Sequence, residues 1–175
     1  MALVRGGRLL VEGLSVALTP GEALQLRGPN GSGKSSLLRL AAGLLRAERG
    51  AVERSTLALA DDKPALDAEL PLGKALRFWT GRDPAPAMEA LGIARLAEVP
   101  VRYLSSGQLR RASLARVVAS GARLWLLDEP ANALDPDGLE RLAVVIAGHR
   151  AQGGAVVAAT HQDLAGEWRR LELGR

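Results

Sequence analysis

The stretch Gly28-Pro29-Asn30-Gly31-Ser32-Gly33-Lys34-Ser35 constrains this chain more than any other. It fits the pattern of a glycine, four residues of any kind, then Gly-Lys-Ser/Thr. Glycines let successive backbone N–H groups turn inward around an anion with no side chain in the way. A helix that follows aims the positive end of its dipole at the same anion. Residues 22–27 read as a strand entering the loop. Lys34–Ala42 reads as the helix leaving it, with Leu37, Leu38, Leu40 and Ala41 as its buried face and Gly43 as its stop. In that setting Lys34 supplies a point charge to the β- and γ-phosphates of a nucleotide, and Ser35 offers a hydroxyl to Mg²⁺. Gly28 through Ser36 are the candidate phosphate-binding residues.

Leu124–Leu127 is an apolar run that ends in Asp128 and Glu129. A buried parallel strand delivers its last residues to the crevice where open α/β sheets bind ligands. Asp128 is placed to hold the Mg²⁺ shell, and Glu129 to take a proton from an attacking water. Phosphoryl transfer needs charge neutralisation and a positioned nucleophile. Lys34 and Asp128 meet the first need, Glu129 the second.

The remainder alternates between strand and helix, which argues for an α/β fold with a parallel sheet. Residues 9–18 read as a strand before the turn Thr19-Pro20-Gly21, and residues 50–60 as two short strands. Helix candidates at 71–79 and 86–96 are broken by Pro84, Pro86 and Pro100. A helix is expected from about Ser106 to Ala119. Another starts at Asp135-Pro136, a capping residue followed by proline at the first helical position, and carries Leu139, Leu142, Ala143 and Ile146. Residues 155–160 read as a buried strand.

Composition narrows the class. Of 175 residues, 47% are hydrophobic and 24% charged, which suits a globular domain. With no cysteine, disulfides and thiolate metal sites are excluded. The net charge of +4 comes from arginines spread along the chain, with lysine only at 34, 63 and 74, so it reads as a solvated surface. One Tyr, one Phe and three Trp are too few for stacking on single strands, and nucleic acid is not expected as a partner. No apolar run reaches the roughly 18 residues that span a bilayer. Arg5, Arg8 and the apolar residues near them resemble a secretion signal, but Glu12 interrupts them and no small-residue cleavage site follows. The segment reads as strands of a cytosolic protein. Of the two histidines, His149 is expected at the surface of its helix.

Three further motifs carry a family resemblance. Leu104-Ser105-Ser106-Gly107-Gln108 resembles the LSGGQ signature of ABC ATPases, Asn132-Ala133-Leu134-Asp135 resembles their D-loop, and Thr160-His161 resembles their switch histidine. The resemblance implies an α/β P-loop NTPase core with a parallel sheet, a small N-terminal antiparallel β part and a short helical subdomain at about 64–115, all within one domain over 1–175. It also implies ATP and Mg²⁺, and a head-to-tail homodimer with two ATP molecules sandwiched between subunits. Each ATP would meet one subunit's phosphate loop and the other's Ser105, Gly107 and Gln108. A serine and a backbone N–H at a helix start are natural ligands for a γ-phosphate. His161 would sense that phosphate.

The short length, the stretch GPNGSGKSSLLRLAAGLL and the ending AQGGAVVAATHQDL resemble one branch in particular. These are the ATP-binding subunits of cytochrome c maturation exporters, the CcmA branch, where a small residue commonly stands at the position of Ser106. The resemblance implies a polytopic membrane subunit of the CcmB type as partner, a peripheral place on the cytoplasmic face of the membrane, and a role in c-type cytochrome biogenesis. An alternative within the wider family is a soluble ATPase acting on nucleic acid or ribosomes, but such proteins usually fuse two cassettes or carry long insertions. The transport reading expects residues 61–79, with Leu70, Leu72, Phe78 and Trp79, to present an apolar groove to a membrane subunit.

Two departures stand out. The family's glutamine between phosphate loop and signature is missing, since glutamine occurs only at 25, 108, 152 and 162. Asp61, Asp62 or Lys63 takes its place. Asp62 can meet Mg²⁺ and Lys63 only phosphate; otherwise 61–63 is a solvated charged turn. No aromatic residue precedes Phe78, so adenine must rest on aliphatic or arginine groups, with Arg8 a candidate.

Overall fold

The computed structural model describes residues 2–5 and 8–174. Five parallel strands form the sheet: β3 (Ala23–Arg27), β4 (Leu57–Ala60), β5 (Leu124–Asp128), β6 (Ala155–Ala159) and β7 (Arg169–Glu172), in the spatial order β4-β5-β6-β3-β7. A separate antiparallel pair, β1 (Leu3–Arg5) and β2 (Arg8–Val11), precedes it. Among the described residues five α-helices complete the fold: α1 (Lys34–Ala41), α2 (Leu72–Thr80), α3 (Ala85–Ala90), α4 (Ser106–Ala119) and α5 (Pro136–Ala151).

Side chains alternate across the strands, so the sheet feeds two cores. On β5, Trp125 and Leu127 enter the core shared with α2, α3, α4 and α5, while Leu126 points to the core beneath α1. On β6, Val156 and Ala158 face the first core, and Val157 and Ala159 the second. The parallel sheet is therefore the middle of three layers, covered on both faces as buried parallel strands require. Among the described residues no helix is long and apolar enough to cross a membrane.

The structure corrects several expectations. The strand expected over 9–18 ends at Val11, because Glu12 and Gly13 bend the chain away. Residues 50–60 hold one strand, not two. The helix expected over 86–96 stops at Ala90, since Leu91 leaves helical geometry and Gly92 follows at φ +68°; a 3₁₀ turn (Ala94–Leu96) replaces its second half. On α5, Leu142 and Ile146 are buried but Leu139 is exposed. On α1, Ala41 is only half-buried. Strand β7 was not expected at all. Its sequence, Arg-Arg-Leu-Glu, has no apolar alternation because it is an edge strand paired only with β3.

His149 is half-buried rather than exposed. Its ring stacks on Trp125, with centroids 3.8 Å apart and planes 7° from parallel. Burial holds the imidazole below its ordinary value of 6.5, against opposing hydrogen bonds to the backbone of Arg123 and Ala155. The unfolded chain therefore binds this proton more readily than the folded one. Stability is fully present above the unfolded value near 6.5 and is lost as pH falls through it. We expect the urea midpoint to fall between pH 7.5 and 5.5, and to fall less in His149→Phe, which keeps a stacked ring without the titrating nitrogens. An equal pH dependence in both proteins would remove His149 as the cause.

Candidate functional site

The carboxyl ends of β3, β4 and β5 open onto a cleft of about 850 Å³. The phosphate loop leaves β3 and enters α1 at one wall. Gly28 lies at φ +142°, and a Cβ there would come within 2.3 Å of the Leu173 carbonyl oxygen, so the segment after β7 closes behind the loop only because this residue is glycine. Asn30, Gly31, Gly33, Lys34, Ser35 and Ser36 line the cleft, whereas Gly28, Pro29 and Ser32 do not. No side chain caps the first turn of α1 and no acidic residue occupies it, so the dipole end is open to an anion. The Ser32 hydroxyl is buried with no hydrogen-bond partner among the described residues.

The buried ammonium of Lys34 donates to the carbonyls of Gly28 (2.8 Å) and Pro29 (3.1 Å). An ammonium has three donors, so one remains for an oxygen in the cleft. Ser35 Oγ donates to Asp128 Oδ1 at 3.0 Å, which brings together residues 93 apart in sequence. Burial pushes the Asp128 carboxyl above the usual carboxylate range, and the bond from Ser35 opposes this. A hydroxyl and a carboxylate side by side are hard oxygen donors of the kind Mg²⁺ takes.

Glu129 follows at φ +45°, a left-handed conformation for a residue with a side chain. Its N–H donates to the Ala159 carbonyl at 2.7 Å. Its carboxylate meets Thr160 Oγ1 at 2.9 Å and His161 Nδ1 at 3.2 Å. The pair Thr160-His161 therefore comes to Glu129 from the exit of the neighbouring strand β6.

The segment after β4 supplies the opposite wall. Asp61 and Asp62 line the cleft, while Lys63 is exposed outside it. Arg39 of α1 pairs with Asp62 at 2.9 Å and with Asp61 at 3.5 Å. Arg110 of α4 donates to the carbonyls of Asp128, Asp61 and Pro130, tying three walls together. Arg39 and Arg110 escaped sequence reading, since nothing in their local pattern announces contacts that tertiary folding alone creates. The same holds for Gln25, buried on β3, whose amide donates to the Gln162 carbonyl at 2.7 Å. Leu10 lines the cleft beside Gly33. The side chain of Arg8 lies outside the described residues.

Of the signature segment, Ser106 lines the same cleft as the phosphate loop, whereas Ser105, Gly107 and Gln108 do not. Ser105 caps α4 by accepting from the Gln108 N–H, and the Gln108 side chain accepts from the Ser105 N–H. This reciprocal capping box leaves both Ser105 and Ser106 exposed at the start of a 14-residue helix. A Cβ on Gly107 would approach the Ala133 carbonyl to 2.8 Å, so glycine lets the start of α4 pack on the segment 132–134. Arg111 fastens the same contact by pairing with Asp135 and Asp137 at the start of α5. Of the residues expected to offer an apolar groove, Phe78 and Trp79 are exposed and edge to face, 6.0 Å apart. Leu72 is fully buried in the core and presents nothing to a partner.

Residues 11–132 match the ABC transporter family. The chain belongs to that family. This ABC transporter ATPase is similar to curated proteins called cytochrome c biogenesis ATP-binding export protein CcmA. One, from Sphingopyxis alaskensis, is 54% identical over 94% of this chain and 89% of its own length. Another, from Novosphingobium aromaticivorans, is 55% identical over 94% of this chain and 87% of its own length. The fold superposes on a solved ATP-binding subunit of an ABC transporter with a TM-score of 0.83 at 22% identity, covering 91% of this chain and 76% of that one. It superposes on an ABC transporter ATP-binding protein from Pyrococcus furiosus with a TM-score of 0.80 at 19% identity, covering 91% of this chain and 88% of that one. The expected α/β P-loop NTPase fold is thus the observed one, and ATP is the ligand the family implies.

Proposed function

We propose that this chain is the ATP-hydrolysing subunit of a cytochrome c maturation exporter. The observation that carries the reading is the convergence of Lys34, Ser35, Asp128 and Glu129 on one cleft, in a chain 54% identical to a relative named for that process. Lys34 and the open N-terminus of α1 bind the phosphates. Ser35 and Asp128 are the Mg²⁺ ligands, and the ion when bound neutralises charge that develops on the phosphate oxygens. Glu129 accepts the proton of the attacking water, and His161, hydrogen-bonded to it, stands ready to meet the γ-phosphate. Leu10 offers the aliphatic surface for adenine in place of an aromatic ring.

Residues 64–115 act as a helical subdomain within a single domain. The exposed start of α4, with Ser105, Gly107 and Gln108, closes on the ATP of a second copy in a head-to-tail homodimer. Nucleotide binding then joins the subunits and hydrolysis releases them, a switch with two global states. The exposed Phe78 and Trp79 face a polytopic membrane subunit of the CcmB type, and the chain works at the cytoplasmic face of the membrane.

The test is affinity co-purification of the tagged chain from detergent-solubilised membranes. A polytopic cytochrome-maturation subunit is the expected companion. Recovery of ribosomes or nucleic acid alone, or of nothing, overturns the exporter assignment while leaving the ATPase chemistry intact.

A further inference from the structure

Thr160 is fully buried at the exit of β6. Its N–H donates to the Leu26 carbonyl on β3, which fixes its backbone to the strand that enters the phosphate loop. Its hydroxyl accepts from the Gln162 N–H at 3.1 Å and lies 2.9 Å from Glu129 Oε2. A hydroxyl has one proton to give. Because the backbone N–H of Gln162 already donates to this oxygen, the hydroxyl proton is directed at the Glu129 carboxylate.

Glu129 needs such a restraint. A glutamate side chain is flexible, and its backbone here is held in the left-handed region at φ +45°. The Glu129 N–H anchors the main chain to Ala159, but nothing in that bond sets the carboxylate plane. His161 touches the other oxygen from an exposed position, its side chain 65% accessible. Of the two contacts, the one from Thr160 is part-buried and the one from His161 exposed.

We infer that Thr160 is a positioning residue for hydrolysis: its hydroxyl orients the Glu129 carboxylate toward the attacking water. The inference rests on the reading of Glu129 as the base. It predicts a loss in turnover with little change in nucleotide binding, because Thr160 does not line the cleft.

The experiment compares steady-state ATP hydrolysis by the purified full chain with that of Thr160→Val, Thr160→Ala and Thr160→Ser. Loss of one such hydrogen bond is expected to lower kcat about tenfold in the valine and alanine variants, with KM for ATP within about twofold. Thr160→Ser is expected to recover most of kcat, which a merely structural role for the buried methyl would not allow. Valine strips Gln162 of its acceptor, so alanine, with room for a water there, guards against a folding artefact. In the Glu129→Gln background, Thr160→Ala is expected to cause no further loss. An unchanged kcat in Thr160→Ala, a serine variant as slow as alanine, or a loss confined to KM overturns the inference. If Glu129→Gln alone hydrolyses at the wild-type rate, the base assignment falls first, and the two failures are told apart.

Discussion

Replacing Glu129 with glutamine is expected to reduce ATP hydrolysis by a factor on the order of 10² to 10⁴, the usual contribution of a positioned general base. The change is nearly isosteric. An amide in that place can still accept from Thr160 and can still meet His161, so the geometry at 2.9 Å and 3.2 Å survives. What disappears is the ability to take a proton from water. Binding is expected to persist, because the proposed phosphate ligands, Lys34 and the start of α1, and the proposed Mg²⁺ ligand Ser35 do not change. ATP-bound dimers should then accumulate and elute early in size-exclusion chromatography when ATP is present, and return to monomer when it is withheld. Hydrolysis at the wild-type rate would show that another group, or water alone, accepts the proton.

Replacing Lys34 with alanine is the change with the largest effect on binding. The ammonium is buried among polar partners, and a charged hydrogen bond to phosphate contributes about 1.5–3 kcal/mol. With its point charge removed as well, the affinity for ATP should fall by about a hundredfold or more. The fold should tolerate the substitution, since the bonds lost are to two loop carbonyls, Gly28 and Pro29, that border an open cleft. Isothermal titration with ATP measures the effect, and thermal unfolding without nucleotide serves as the control. An affinity within twofold of wild type would mean that the backbone cradle and the helix dipole suffice without the lysine.

The two substitutions separate the halves of the site. Lys34 belongs to a loop whose geometry is dictated locally, by glycines between a strand and a helix. Glu129 belongs to a constellation assembled from three strands. That difference explains which features were legible before the fold was known. The phosphate loop, the acidic strand end, the start of α4 and the Asp135-Pro136 cap of α5 were all readable. Each depends on residues within a few positions of one another, where backbone sterics and capping hydrogen bonds act.

Other features needed tertiary structure, for reasons tied to particular residues. His149 reads as a surface histidine from its place on a helix alone, yet β5 places Trp125 flat against it. Leu72 reads as one of the apolar residues of 61–79 open to a partner, but α2 turns it into the core. The charged edge strand β7 has no periodicity to announce it and forms only because β3 offers a free edge.

By itself, the sequence determined the chemistry: a phosphate loop, an acidic strand end and a signature segment, in an order that also implies a parallel sheet. Local rules suffice for these because each motif acts through its own backbone. The tertiary structure alone decided which groups meet. It brought Ser35 to Asp128, Thr160 and His161 to Glu129, and Arg110 across the carbonyls of Asp61, Asp128 and Pro130. Those contacts join residues 18 to 93 positions apart, and only the order of strands in the sheet and the packing of α4 against it bring them within reach.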